Sequence, residues 1–274
     1  MPGCMVWLFL CIFAPENPTK HKRLKMKNLF KMFPVLAAVA AMSFMSCGEA
    51  ENEISFDRYY ESIFTVNKAT IAPELEDTSY MVMNMDKFEL QTGDRARMKV
   101  RYYYDSNVTK FPEWTIQSVV EVIPTRQIVA KDAVDAAEYN APVVLNASGS
   151  LYSYVMGNRP VDPIWVWNNI QNVYVHYRGI SDNAQFALSV KGVKDGCVEL
   201  QLHIKAAALG NVKSDKLVSF DLRSLENVLT ESEKASLRSY DKLKTQVFLT
   251  YLTSAGKTEV GATPACEFAN PFKK

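Results

Sequence analysis

Strict alternation of apolar and polar residues is the pattern that most constrains this chain, and it favours β-strands over helices. Four segments show it: 97–104, 114–122, 184–190 and 198–204. Successive side chains of a strand point to opposite faces, so this period of two is typical of strands with one buried face.

The last two of these segments flank a turn. Between them lies 191–197, which contains Asp195-Gly196. Asp-Gly readily adopts the positive φ angles that a tight hairpin turn requires. The sequence therefore predicts a β-hairpin over 184–204.

Shorter apolar runs predict further strands, and helix signals are few. The additional strands are predicted at 81–85, 88–90, 143–145, 164–167, 173–177, 218–222 and 247–252. Thr230 and Glu233 have the spacing of a capping box, which predicts a short helix through Leu237. A helical turn is predicted around 131–139, ended by Pro142. Many strands with little helix indicate an all-β sandwich or barrel.

Composition excludes several other classes of protein. The 274 residues are 48% hydrophobic and 22% charged, with 31 Lys and Arg against 30 Asp and Glu. These values argue against a mainly disordered chain, a collagen-like repeat or a polytopic membrane protein. The charge balance gives no sign of nucleic-acid binding.

The N-terminus resembles a bacterial export signal. Met26 precedes the charged residues Lys27 and Lys31, and the apolar segment 32–45 has the length of a secretory signal core. We expect translation to start at Met26 and residues 1–46 to form a leader.

The leader ends just before Cys47, within Phe44-Met45-Ser46-Cys47-Gly48, which resembles a lipoprotein cleavage site. In such proteins the Cys47 thiol carries a diacylglyceryl group, and more than one acyl chain gives a stable membrane anchor. The alternative is that Cys47 merely ends a signal or a membrane anchor. We therefore expect an outer-membrane lipoprotein that is attached to the membrane through a lipid on Cys47.

Residues 47–55 follow as an acidic tether. Glu49, Glu51 and Glu53 give it no core-forming pattern, so it is predicted to be solvated. The same stretch resembles a signal that directs some lipoproteins to the cell surface. We expect surface exposure, with the periplasmic face as the alternative.

Candidate catalytic residues are few. Beyond the leader, His176 and His203 are the only histidines, and both are predicted on polar strand faces, where they are structural or exposed. The chain lacks the sequence motifs of Ser hydrolases, zinc proteases and nucleotide-binding loops. We therefore expect that the protein is not an enzyme and that it has no cofactor and no metal site. A hydrolase that uses a pair of carboxylates is the less favoured alternative.

Two cysteines remain outside the leader. Cys197 and Cys266 could form a disulfide in an oxidising compartment, or both could be free thiols. The absence of C-x-x-C argues against a zinc site.

An aromatic strand is the best candidate for a binding surface. Trp165 and Trp167 lie in a segment with large apolar residues on both faces. The structural interpretation is a strand buried between two layers. The functional one is a platform that stacks on a sugar or peptide, to which Trp114 and Tyr103 could contribute.

Several motifs resemble those of NigD-like lipoproteins over most of residues 80–255. They are the leader ending at Cys47, Gly93-Asp94-Arg95, Asp162-Pro163-Ile164-Trp165, and the segments 173–177 and 218–225. The resemblance implies an N-terminal OB-like barrel, predicted over 56–138, and a C-terminal β-sandwich over 139–274. It implies no catalytic residues.

These observations together predict a non-enzymatic, lipid-anchored envelope protein that binds a protein or glycan partner. The alternative is a bacteriocin-associated immunity or inhibitor protein, because the NigD family is named for a bacteriocin-associated operon.

Overall fold

The computed structural model describes residues 55–108, 111–156, 159–207, 212–253 and 255–273. The leader, Cys47 and the tether up to residue 54 lie outside this range. Strands dominate, so the all-β prediction is confirmed. Across the described segments, no helix is both long and apolar enough to span a bilayer.

The described residues form strands β1 to β16 and helices α1 and α2. In chain order the strands are β1 Ser55–Asn67, β2 Thr70–Pro73, β3 Tyr80–Met81, β4 Arg95–Asp105, β5 Glu113–Val122, β6 Thr125–Gln127, β7 Tyr154–Met156, β8 Arg159–Val161, β9 Ile164–Trp167, β10 Ile170–Arg178, β11 Gln185–Lys194, β12 Cys197–Lys205, β13 Lys213–Asp221, β14 Lys242–Leu252, β15 Thr258–Ala262 and β16 Cys266–Ala269. The helices are α1 Leu225–Val228 and α2 Glu231–Leu237. Short 3-10 turns cover Met85–Lys87, Lys131–Ala133, Ser181–Asn183 and Leu222–Ser224.

The first five strands form the N-terminal sheet, in the order β3-β2-β1-β4-β5. β1 and β4 are antiparallel along almost their whole length, from Ser55 opposite Asp105 to Thr65 opposite Arg95. The alternation predicted for β4 is present, because Met98 and Val100 are fully buried.

This sheet curls until its outer strands meet. Val82, just after β3, forms a parallel bridge with Trp114 of β5, and the Met83 N–H donates to the Trp114 carbonyl over 3.1 Å. The Asn84 amide then bonds both the N–H and the carbonyl of Ile116, at 2.9 and 2.8 Å. The Asn84 side chain thus ends the pairing between the two outer strands. The N-terminal sheet, predicted as an OB-like barrel, is therefore only partly closed.

Two further sheets form the sandwich. The first sandwich sheet has the order β6-β13-β10-β9. The second has the order β11-β12-β14, and both β15 and β16 pair with the far side of β14. Their facing side chains form one core, with fully buried members on each sheet: Val173, Val175, Tyr177, Val218 and Phe220 on the first, and Leu188, Val198 and Leu200 on the second.

The predicted hairpin and the predicted helix are both present. β11 and β12 pair around Asp195 and Gly196, whose φ angles are 51° and 73°. These angles at both central residues match a tight hairpin turn. At the start of α2, Thr230 and Glu233 form the capping box reciprocally.

Several local predictions are wrong. Residues 88–90 form no strand, and the prediction at 81–85 becomes a strand at Tyr80–Met81 followed by a 3-10 turn. The turn predicted over 131–139 covers only Lys131–Ala133. Val120 leaves the inner face of β5 because the β4–β5 pairing contains two irregularities, and its side chain is 46% exposed.

The connection between the N-terminal sheet and the sandwich contributes pairing to the sandwich. β6 lies parallel to β13, and Val129 forms a parallel bridge with Ser189 of β11. Both segments precede residue 139, the predicted start of the sandwich domain.

Candidate functional site

The tryptophans predicted as a platform lie at the junction between the N-terminal sheet and the sandwich. Trp165 is only 7% exposed and stacks on Tyr154, with ring centroids 5.6 Å apart. It packs in a cluster with Ile63 of the N-terminal sheet and Leu217 of β13. Trp167 lies half-buried against the same cluster.

A buried polar network fixes Trp165 in this position. Its indole N–H donates to Glu74 over 3.2 Å, and the Arg95 Nε donates to the other oxygen of Glu74 over 2.7 Å. Arg95 and Ser219 both donate to the side-chain oxygen of Asn172, at 2.9 and 2.7 Å. Trp165 is therefore part of the structural junction, which agrees with the interpretation of a buried strand and not with an exposed stacking platform at this residue.

The other two predicted platform residues do not join Trp165. Trp114 lies on the inner face of the N-terminal sheet, stacked on Tyr80 at 4.0 Å and 5.0 Å from the ring of Tyr102. Tyr103 points to the opposite face of β4, where the Arg101 guanidinium lies 4.9 Å from its ring centre. The four residues therefore form no common surface.

A cleft of about 690 Å³ at one edge of the sandwich is a candidate binding site. Its walls come from three distant segments: the loop 145–153, the start of β9, and the chain from β14 to β16. The cleft residues are Leu145, Gly149, Ser150, Leu151, Ser153, Asp162, Pro163, Ile164, Leu249, Tyr251, Gly261, Ala262, Thr263, Pro264, Ala265 and Cys266. The lining thus mixes apolar side chains with hydroxyl groups.

A turn built around Asn146 holds one wall of the cleft. The Asn146 side-chain oxygen accepts the N–H groups of Ser148 and Ser150, both at 3.0 Å. The Asn146 N–H also donates to the Ser150 carbonyl over 2.8 Å, and Gly149 has a φ of 78°. Because these bonds fix the turn locally, the wall exists without a ligand.

Tyr251 and Gly261 form the opposite wall. A Cβ atom on Gly261 would lie 2.8 Å from the Tyr251 ring, so the ring lies directly on the glycine backbone. The Tyr251 hydroxyl donates to Glu259 over 3.1 Å. The ring therefore has one defined position, and any side chain at 261 would displace it.

The ionisable groups of the cleft are poorly suited to catalysis. Asp162 is the one carboxylate among the described residues that line it. The Cys266 thiol contacts the Ile164 carbonyl with a sulfur–oxygen distance of 3.6 Å, and burial, with a smaller effect of Asp162, raises the pKa of this thiol. A thiol with a raised pKa is mostly protonated at neutral pH and is a weak nucleophile.

Cys197 and Cys266 are free thiols. Cys197 pairs with Lys244 on one side of β14, and Cys266 pairs with Thr245 on the other side. The strands that carry the two cysteines lie two strand spacings apart, roughly 9.5 Å. Their partners on β14 are adjacent residues, so the two cysteine side chains point to opposite faces of the sheet. This separation exceeds the reach of a disulfide, so the free-thiol alternative is the one that the structure supports.

The two histidines are half-buried, which agrees with the structural alternative of the two predicted for them. His203 Nε2 lies 2.8 Å from the hydroxyl of Ser189, a residue that is only 2% exposed. Burial alone lowers the pKa of His203, whereas the carboxylate of a Ser-His-Asp triad would raise it. Within the described segments, no group of three or more His, Cys, Asp or Glu side chains is placed to hold a metal ion.

Sequence reasoning did not identify the cleft. Its walls are separated by about a hundred residues of chain, and its polar groups are common residue types without a motif. Gly261, which the Tyr251 ring requires, carries no signal beyond being a glycine within a strand.

No family model and no curated protein matches the chain. Solved structures do. A NigD-like immunity protein from Bacteroides caccae ATCC 43185 matches with a TM-score of 0.50 and 12% identity, over 77% of this chain and 97% of that one.

Two other solved structures are more distant. One is a putative toxin-related protein from Parabacteroides distasonis ATCC 8503, with a TM-score of 0.46, 15% identity, and coverage of 78% of this chain and 96% of the other. The second is a DUF1344 protein of unknown function from Bacteroides vulgatus ATCC 8482, with a TM-score of 0.42, 16% identity, and coverage of 76% and 92%.

The chain thus has the fold of a NigD-like protein, and the resemblance seen in the sequence is confirmed at the level of the fold. At this identity the likeness extends to architecture and not to a shared ligand.

Proposed function

We propose that the protein is a non-enzymatic lipoprotein of the outer membrane that binds a protein or glycan partner in the sandwich cleft. The leader and Cys47 support the anchor, and the cleft supports the binding role. The single observation that carries the binding role is a preformed cavity of about 690 Å³, which lies in the range of small-ligand sites, about 300–1,000 Å³.

The chemistry of the cleft favours recognition over reaction. Leu151 and Tyr251 supply apolar area, while Ser150 and Ser153 supply exposed hydroxyl groups. Asp162 adds one exposed hydrogen-bond acceptor. This mixture suits a sugar or the loop of a protein, which both present apolar patches beside hydrogen-bonding groups.

Filling the cleft tests this proposal. Ser153→Trp should place an indole in the cavity and abolish partner binding while the thermal midpoint stays near that of the wild type. Ser118→Trp on β5 is the matched control, because Ser118 is also exposed and lies outside the cleft. Binding that survives Ser153→Trp would contradict the proposal.

The readout also separates the two partner classes. Site-specific photocrosslinking from position 153 in living cells should capture a defined protein if the partner is a protein. A glycan array probed with the purified protein should give signals that Ser153→Trp removes if the partner is a sugar.

The anchor requires its own test. Cys47→Ala should move the protein from the membrane fraction to the soluble fraction, since the lipid would have no attachment site. Protease treatment of intact cells then distinguishes surface exposure, which we propose, from the periplasmic face.

A bacteriocin-associated immunity or inhibitor role is the second candidate. The fold shared with a NigD-like immunity protein favours it. A strain that lacks the gene should become more sensitive to bacteriocins of its own or neighbouring strains, and unchanged sensitivity would contradict this role.

A further inference from the structure

One end of the N-terminal sheet carries a group of large apolar side chains that are open to solvent. We call this group the apolar end; it consists of Phe56, Met81, Met83, Val108 and Phe111. Their exposures are 37%, 69%, 65%, 71% and 76%. Single exposed apolar residues are common, but several at one end of a sheet are typical of an interaction surface.

Strand register brings these residues to the same end. Phe56 lies opposite Tyr104, next to the end of β4. Val108 and Phe111 follow in the β4–β5 connection. β3 runs parallel to β5 through the bridge between Val82 and Trp114, so Met81 lies towards the start of β5, beside that connection.

The apolar end has a rigid support. Trp114, at the start of β5, stacks on Tyr80 and lies at a tilt against Tyr102. The Asn107 N–H donates to the Asp105 carboxylate over 2.9 Å, and the Val108 N–H donates to the Asp105 carbonyl over 3.0 Å. Val108 is therefore held in its exposed position by a turn at the end of β4.

The chain enters the described fold at this same end. β1 begins at Ser55, which lies opposite Asp105, the last residue of β4. Cys47 precedes Ser55 by eight residues. Eight residues of fully extended chain span at most roughly 28 Å, so a lipid on Cys47 would hold the apolar end close to the bilayer.

We propose that the apolar end lies against the surface of the bilayer in which Cys47 is anchored, with Val108 and Phe111 inserted among the lipid headgroups. This inference rests on the proposed lipid anchor. The occupant is a lipid surface because the tether keeps one within reach and because Val108 and Phe111, 71% and 76% exposed, present apolar side chains to it. Aromatic residues such as Trp114, Tyr102 and Tyr104, half-buried just behind, are of the type enriched at membrane interfaces.

The apolar end would give the protein a second contact with the bilayer, in addition to the acyl chains on Cys47. Apolar area buried at the interface strengthens attachment. It would also fix which side of the protein faces away from the membrane, which a tether alone does not do.

Quenching by brominated lipid tests the proposal directly. The lipidated mature protein is reconstituted in phosphatidylcholine vesicles with and without dibrominated acyl chains. Phe111→Trp and Val108→Trp serve as separate reporters, and Val260→Trp, at a 57% exposed site on β15, is the matched control. Each signal is measured as the difference from the parent protein, and flotation of the vesicles reports the anchor.

We expect both reporters at the apolar end to shift to shorter wavelength and to lose fluorescence in brominated vesicles, while position 260 is unchanged. Protein that floats with the vesicles but shows no added quenching at 108 or 111 would overturn the inference and leave the anchor intact. Protein that does not float would overturn both.

Two further outcomes would also refute the inference. Equal quenching at all three positions would mean that the protein has no preferred face towards the bilayer. A dimer in detergent that Phe111→Asp converts to monomers would assign the apolar end to a second copy of the chain.

Discussion

The indole nitrogen of Trp165 lies 3.2 Å from Oε2 of Glu74, across the junction between the N-terminal sheet and the first sandwich sheet. Arg95 binds the other carboxylate oxygen. Glu74 and Arg95 are 1% and 6% exposed, so this ion pair is almost completely removed from water. Its effect on stability is therefore expected to come from pairing, since either charge alone would be buried without a partner.

We predict that Glu74→Gln lowers the free energy of unfolding by about 3–5 kcal/mol, because it leaves the Arg95 charge buried without its partner. Arg95→Met should lower the free energy of unfolding by a similar amount, because it leaves the Glu74 carboxylate buried without its partner. Chemical denaturation of both single variants and the double variant measures this. The double variant should lose clearly less than the sum of the two, and simple additivity would contradict a coupled pair.

Removing the Trp165 side chain should destabilise the protein. Trp165→Ala deletes a large buried ring and the N–H partner of Glu74, and we expect a loss of about 3–5 kcal/mol. Trp167→Ala is the matched comparison, because Trp167 is half-buried on the same strand face, and its effect should be smaller. Equal effects in thermal unfolding would mean that Trp165 is not the anchoring residue of the junction.

Acidification should destabilise the fold through its histidines. Burial lowers the pKa of both His176 and His203 below the ordinary value of 6.5; for His176, Asp215 partly offsets this effect and Lys213 adds to it. The unfolded chain therefore binds protons at these histidines more readily than the folded protein does. The stability that the folded protein has while both histidines are neutral is fully present above pH 6.5, and it is lost as the pH falls through 6.5 towards the pKa values of the folded state.

Thermal midpoints at pH 7.5 and 5.5 measure this dependence. We expect the midpoint to fall at the lower pH, and the fall to be smaller in a variant with His176→Gln and His203→Gln. An unchanged fall in that variant would assign the pH dependence to other groups.

Reducing agents should leave the folded protein unchanged. Cys197 and Cys266 flank β14 on opposite sides, so the folded protein can form no bridge between them. We expect the same thermal midpoint with and without dithiothreitol, and two thiols per unfolded chain by Ellman titration in protein that lacks the leader and Cys47. A midpoint that falls on reduction would contradict this arrangement.

The sequence predicts the central strands of the sandwich and misses the first strand of the N-terminal sheet. The hairpin of β11 and β12 follows from alternation and from Asp195-Gly196. β1 is the longest strand and is not predicted. Its Ile63 packs on the junction cluster while the adjacent Phe64 packs inside the N-terminal sheet, so two consecutive apolar residues break the alternation.

The candidate site depends on contacts that no local pattern contains. Glu74, Arg95 and Trp165 meet although 21 and 91 residues of chain separate Glu74 from its partners. Trp165 was identified as unusual because its strand is apolar on both faces, and that observation is explained by burial at the junction. The cleft required the sheets to be assembled before Ser153 and Tyr251 could be seen to line the same cavity.

The parallel pairing of β6 with β13 determines how the molecule could be divided. A fragment that begins at residue 139 would lack β6, and it would expose the backbone edge of β13 at Ser219–Asp221. It would also lose the Ile128 N–H that donates to the Ser224 hydroxyl over 2.9 Å. Unpaired edges invite intermolecular strand pairing, so a recombinant sandwich that includes 125–138 should aggregate less than the shorter fragment.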